Sequence, residues 1–400
     1  MHSAQDISQD KTLLWLMALS CGLTAGANYF SQPLIYSIQQ AFQGTTAQAQ
    51  LTVTFAQLSY ALGLLFLVPL GDIVNRTKFI PLLMALAGVG LLICATAVNL
   101  PMLWIGTAIA GLFSVAAQVL IPFAAMTVKP EKMGETVGFL MSGLLVGIYL
   151  STSLAGILSN LFHWQVIYIV SAILIFACAY FLRQKLPHAE RLKMKYADVF
   201  ISMKHLVLEE PRLILRALMG AFAFASLSIL FSTIAVYLSS PPFELEDTFI
   251  GMVSLVGILG ALSSKYVGQW ADRGYNIQLS FLGGVFLLLS WVAMYFSSHG
   301  LIFYIIGFAV VNLGLAFVHS CNQNIIYRIR PDAKSRINAI YMTFYFGGAA
   351  FGSAIGIFSW NYGGWSFTCL IGVILSLIAT GLCFVDYARF ARHQTVNNQQ

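Results

Sequence analysis

Apolar runs of about 20 residues follow one another along this chain with short polar breaks between them. That is the length of helix needed to cross a hydrocarbon core about 30 Å thick at about 1.5 Å per residue. Read between the polar breaks, the sequence predicts twelve membrane-spanning helices, at approximately 13–36, 50–70, 79–98, 102–126, 137–160, 165–182, 214–238, 249–269, 277–297, 301–326, 337–358 and 365–385. The longest polar interruption, Arg183 to Arg212, falls between the sixth and seventh spans. The predicted fold is therefore an all-α integral membrane protein with an N-terminal six-helix bundle (1–182), a cytoplasmic linker (183–213) and a C-terminal six-helix bundle (214–400). Within the linker, Ala197 to Leu208 has the pattern of a short amphipathic helix lying on the membrane surface.

Composition turns this pattern into an exclusion. Of 400 residues, 58% are hydrophobic and 9% charged, against about 25% charged in soluble proteins, so a water-exposed globule is ruled out. The charges that remain are sorted by side. With both termini on one face, that face receives all 21 Lys and Arg residues, eight of them between Arg183 and Arg216. The opposite loops carry Glu244, Glu246 and Asp247 and no basic residue. By the positive-inside rule both termini are expected in the cytoplasm of a multi-pass protein of the cell inner (plasma) membrane. A miscount by one span would destroy the segregation. The polar, mildly acidic start from Met1 to Lys11 lacks the basic region of a removable signal peptide.

Other classes lose support in the same way. The net charge of +6 sits in short loops and forms no basic domain for nucleic acid. The six cysteines (Cys21, Cys94, Cys178, Cys321, Cys369 and Cys383) lie inside apolar runs without a CxxC pair or a Cys/His cluster, so neither a metal nor a cofactor is expected. No GxSxG, HExxH or phosphate-binding loop occurs, and an enzyme is not expected.

The two halves repeat each other. Asp72, in Val68-Pro69-Leu70-Gly71-Asp72-Ile73-Val74-Asn75-Arg76, and Asp272, in Gly268-Gln269-Trp270-Ala271-Asp272-Arg273-Gly274, are 200 residues apart. Pro130 and Pro331, Trp164 and Trp365, and the Gly147 and Gly348 stretches repeat at 201. Six spans per copy is even, so the copies insert in the same orientation, which predicts a solute cavity near mid-membrane and transport by alternating access.

Across essentially its whole length the chain resembles the major facilitator superfamily. The Asp72 and Asp272 loops are similar to that family's G-x-L-A-D-R-x-G-R-K signature and its echo. The second copy keeps Gly268, Ala271, Asp272, Arg273 and Gly274, whereas the first has Val68, Ile73 and Asn75 at departures from the pattern. Asn75 is a mild departure, because Asn tolerates a left-handed turn. The resemblance implies a gate in which Asp72, Arg76, Asp272 and Arg273 latch and release as the bundles rock. Gly147 to Gly156 stands where the family's antiporter signature G-x-x-x-G-P-x-x-G-G falls, with small residues at Ser151, Ala155 and Gly156 but Thr152 in place of Pro. Close helix packing is expected there, without a proline kink. The stretches Asn28 to Pro33, Ser114 to Gln118 and Ser335 to Thr343 are similar to a bacterial branch of efflux permeases.

Polar groups inside a span cost free energy unless they are paired or face a wet cavity, which makes them the candidates for a solute path. They are Asn28, Tyr29 and Gln32 on span 1, Gln57 and Tyr60 on span 2, Gln118 on span 4, Tyr149 and Thr152 on span 5, His319, Asn322 and Gln323 on span 10, and Tyr341 and Tyr345 on span 11. Asn28 with Gln32, and His319 with Asn322 and Gln323, share helix faces by their spacing. The resemblance implies that spans 1, 4, 7 and 10 surround the cavity, and so places Asn28, Gln32, Gln118 and His319 on it. No Asp or Glu falls in the middle of a span, which leaves His319 as the expected proton carrier. The expected function is secondary active transport of a small, largely apolar or neutral organic molecule, outward and in exchange for protons. Uptake or facilitated passage of a polar metabolite is the alternative. The expected partners are the solute, protons and membrane lipid, with the protein a monomer.

Overall fold

The computed structural model describes residues 7–187, 195–330 and 333–391. Among them the chain is helical without a strand, and apolar side chains such as Trp15, Ile173, Leu262 and Phe384 stand exposed on the outside. Such an apolar exterior fits a lipid solvent, in which each backbone polar group must find its partner inside the helix.

Among the described residues, ten helical segments are long and apolar enough to cross a membrane. Two features separate that figure from the twelve spans expected. The first expected span is not one helix. It divides into α1 (Lys11–Gly26), a 3-10 turn (Ala27–Tyr29) and α2 (Ile35–Phe42). The last segment, Arg336–Phe390, is 55 residues long. It covers α15 (Lys334–Asp386), which leaves helical geometry at Gly363 and Gly364. Gly364 takes a φ of +62°, where a Cβ would be strained, and this turn falls between the two spans expected there.

The remaining helices are α3 (Thr46–Phe66), α4 (Arg76–Ala95), α5 (Leu100–Phe113), α6 (Ala116–Met126), α7 (Pro130–Leu161), α8 (Val166–Lys185), α9 (Tyr196–Glu209), α10 (Pro211–Leu238), α11 (Asp247–Ser254), α12 (Ile258–Trp270), α13 (Asn276–Tyr295) and α14 (Leu301–Ile329). Local chemistry explains several starts. Thr45 and Gln48 form a reciprocal capping box at α3, and the Asn75 and Asn99 side chains accept from Thr77 N and Met102 N at α4 and α5. Asn75 consequently takes extended backbone geometry (φ −70°, ψ 103°) rather than the left-handed turn that the loop signature suggested. The left-handed residue is Gly274, in the second loop, at φ +97°. A helix is present where one was expected at 197–208, as α9.

By contacts the chain forms two compact units. One comprises 1–199, 234–240 and 244–255, and the other 200–233, 241–243 and 256–400. In the first unit α1 lies along α7, and a Cβ built at Gly147 would stand 2.2 Å from the Cα of Gly22. In the second, α10 lies along α15, and a Cβ at Gly348 would stand 2.2 Å from the carbonyl oxygen of Ala221. Both approaches bring backbone against backbone, the packing that small residues permit where lipid supplies no hydrophobic drive. As expected from Thr152, α7 runs on without a proline kink.

Candidate functional site

In the first unit the candidates gather where helices break. Pro33 cannot donate to the carbonyl of Tyr29, which instead accepts from Gln32 N at 3.2 Å, and the chain turns through residues 30–34 before α2 begins. Asn28, Tyr29 and Gln32 lie at this break, each at most 5% exposed. Span 4 breaks as well, at Ser114 and Val115, and Gln118 follows in the first turn of α6, four residues before Pro122. Tyr29 interacts electrostatically with Gln57, Tyr60 and Tyr149, and Tyr60 with Gln118. Spans 1, 2, 4 and 5 of the expected count therefore converge on one polar cluster.

Two of its amide atoms have no protein partner, Asn28 Oδ1 and Gln32 Nε2. A cavity of about 10 Å³ adjoins Asn28, between Cys94, Thr107 and Tyr168. That is room for about one water. Gln57 is completely buried. Unsatisfied buried amides cost about 1–3 kcal/mol each, a cost that a hydrogen-bonding solute or water would remove.

In the second unit His319 is half-buried on α14. Its Nδ1 is 3.0 Å from the Tyr341 hydroxyl on α15, and its ring centroid is 4.6 Å from that of Tyr345. Tyr345 in turn stacks on Phe224 of α10 at 4.2 Å. Asn322, one turn along from His319, is fully buried, and its Nδ2 reaches the Tyr341 oxygen at 3.5 Å. Gln323 shares that helix face and is half-buried.

Sequence reading missed the charges behind this group. Arg216, grouped above with the linker's basic residues, lies one turn inside α10 and is completely buried. Its Nη2 pairs with Asp386 Oδ2, at the end of α15, and its Nη1 donates to Asn322 Oδ1 at 3.1 Å and to Ser280 Oγ at 3.0 Å. Arg212 holds the same carboxylate from Nε at 3.0 Å and Nη2 at 3.1 Å. The signal was faint but present: the predicted span began at 214 and so already enclosed Arg216. Asp247 was also placed in an outer loop, yet it is 5% exposed. Its carboxylate accepts from Ser159 Oγ at 2.9 Å and from Ser37 Oγ.

The gate residues are described only in part. The side chains of Asp72 and Asp272 lie outside the described residues. Arg76 is buried and folds back on its own loop, with Nε donating to the Gly71 carbonyl at 2.7 Å and Nη1 reaching Met126 Sδ at 2.9 Å. Arg273 is exposed, so the two loops are not equivalent in detail.

Comparison with known proteins agrees with this architecture. A family model described as Major Facilitator Superfamily matches residues 15–353. The uncharacterized transporter YgaY of Escherichia coli O157:H7 is 41% identical over 367 residues, covering 92% of this chain and 93% of that protein. The crystal structure of a D-xylose-proton symporter superposes with a TM-score of 0.71 at 14% identity, covering 93% of this chain and 97% of that one. A bacterial homolog of the human lysosomal transporter Spinster, in an inward-facing and occupied conformation, gives 0.75 at 13% identity, covering 96% and 98%.

Proposed function

The chain belongs to the Major Facilitator Superfamily and is a multi-pass membrane transporter of that type, and from that premise we propose that it is a proton-coupled secondary transporter of small organic molecules. It works by alternating access, in the bacterial inner membrane, with both termini cytoplasmic and with solute moving outward. Its twelve spans form six-helix bundles over 1–182 and 214–400, joined by the linker 183–213. The functional unit is the monomer.

The observation that carries this reading is His319. It is a titratable ring inside a span, hydrogen-bonded to Tyr341 and stacked among Tyr345 and Phe224. The buried charges near it, Arg216 and Asp386, neutralise each other. Arg216 is therefore not free to hold an anionic solute, and Asp386 is not free to exchange a proton for a cationic one. A neutral or weakly polar solute fits that balance. Asp72, Arg76, Asp272 and Arg273 serve as the gate, and Asn28, Tyr29, Gln32, Gln118, Tyr149, Asn322, Gln323, Tyr341 and Tyr345 contact solute.

A second reading has its own support. The unpartnered Asn28 Oδ1 and Gln32 Nε2 provide an acceptor and a donor without charge, the complement of a hydroxyl-bearing metabolite taken up by symport or facilitation. The likeness of this fold to that of a D-xylose-proton symporter supports this reading. Solutes that raise the melting temperature of the purified protein, followed by flux in right-side-out and inverted vesicles, separate the two. Outward exchange driven by an inward proton gradient supports efflux. Inward accumulation of a polyhydroxylated solute overturns it in favour of uptake.

A further inference from the structure

The fold closes a chain of hydrogen bonds that begins at a permanent charge and ends on the ring of His319. Arg216 has donors and no acceptor, so the Asn322 atom facing it at 3.1 Å is the amide oxygen. That choice fixes the amide. Asn322 Nδ2 must then point the other way, where it donates to the Arg216 main-chain carbonyl at 3.1 Å and to the Tyr341 oxygen at 3.5 Å. The Tyr341 oxygen is thereby an acceptor, and among the described residues His319 Nδ1, at 3.0 Å, is the one acceptor that its own hydrogen can reach. A nitrogen that accepts that hydrogen carries a lone pair, so the neutral ring holds its proton on Nε2. Among the described residues, Nε2 makes no hydrogen bond to protein.

We infer that Arg216 and Asp386 are positioning residues for His319: acting through Asn322 and Tyr341, they hold the ring in the tautomer with Nδ1 as acceptor and Nε2–H as its free donor. Asp386 does so by holding the guanidinium in place, with Arg212 as its second partner and Ser280 taking a further Nη1 hydrogen. The inference goes beyond the transport reading and does not depend on it, because the ring's tautomer can be read whether or not a proton is carried.

The test is nitrogen-15 NMR of histidine-labelled protein in lipid nanodiscs, at a pH where the ring is neutral, with the His319 signals identified by their loss in His319→Gln. The wild-type ring is expected to show an unprotonated Nδ1 and a protonated Nε2. Tyr341→Phe keeps the aromatic packing and removes the donated hydrogen, so the Nδ1 signal should move downfield to that of an unbonded nitrogen. The double variant Arg216→Met with Asp386→Leu, which replaces the pair by apolar groups and so leaves no buried charge, should move the same signal in the same direction by less. A proton found on Nδ1 in the wild type overturns the inference. So does a His319 spectrum unmoved in the double variant, which would make the pair a merely structural contact.

Discussion

Replacing Asp386 by Leu alone should destabilise the protein by about 3–5 kcal/mol, the cost of leaving a buried charge without its partner. Arg216 is completely buried, and Asp386 is the carboxylate that it meets. Removing the acid strands a guanidinium among Ser280, Asn322 and Met219, none of which carries a charge. Removing the base should cost less. In Arg216→Met the carboxylate keeps its two hydrogen bonds from Arg212, which is 19% exposed and so reaches water. The double variant should lie near wild type, because a buried ion pair replaced by well-packed apolar groups is often neutral in stability. The ordering is the signature: the single acid deletion worst, the single base deletion intermediate, the double change mildest. Melting temperatures of the three detergent-purified variants check it. A double variant as unstable as Asp386→Leu would show that packing, and not charge, dominates at this site.

The second large effect is steric. A methyl group at Gly348 would stand 2.2 Å from the Ala221 carbonyl oxygen and 2.6 Å from its Cα, so the obstruction is backbone and cannot rotate away. Gly348→Ala must push α10 off α15, and overpacking of this kind costs about 1–3 kcal/mol, occasionally more. Its neighbour provides the control. At Gly347 nothing lies within 4 Å of an added Cβ, and Gly347→Ala should be neutral or stabilising by up to about 1 kcal/mol through helix propensity. In the other half Gly147→Ala should behave like Gly348→Ala, since its Cβ would meet the Gly22 Cα at 2.2 Å. Thermal melts and the monodisperse fraction after purification distinguish the pair. Equal behaviour of the two neighbouring glycine variants would show that the close approach of α10 and α15 at Gly348 carries no steric penalty.

What the residues disclosed in advance, and what they did not, follows from the range over which each signal acts. The apolar runs, the linker helix α9 and the small-residue approach at Gly147 are local features, readable from consecutive residues. The break in the first span was also legible in principle. Pro33 denies Tyr29 its helical partner, yet the run from 13 to 36 stays apolar enough to read as one helix. The Arg216–Asp386 pair was not legible, because its partners are 170 residues apart and each sits close to a span end, where a charge usually reaches the membrane surface. Asp247 misled for the same reason: it starts α11 and looked solvated, while Ser37 and Ser159 enclose its carboxylate. In the site, the spacing of His319 and Asn322 gave the shared face. The tyrosine that links them comes from a different helix, and only the fold brings it there.

Flux under an imposed pH gradient tests whether His319 carries the proton. The measurement compares wild-type protein and His319→Ala in proteoliposomes, with the solute identified by thermal stabilisation, in the presence and absence of the gradient. The gradient is expected to stimulate wild-type flux, and His319→Ala is expected to fall to its gradient-free rate while still binding the solute. A His319→Ala transporter that remains fully responsive to the gradient would contradict it.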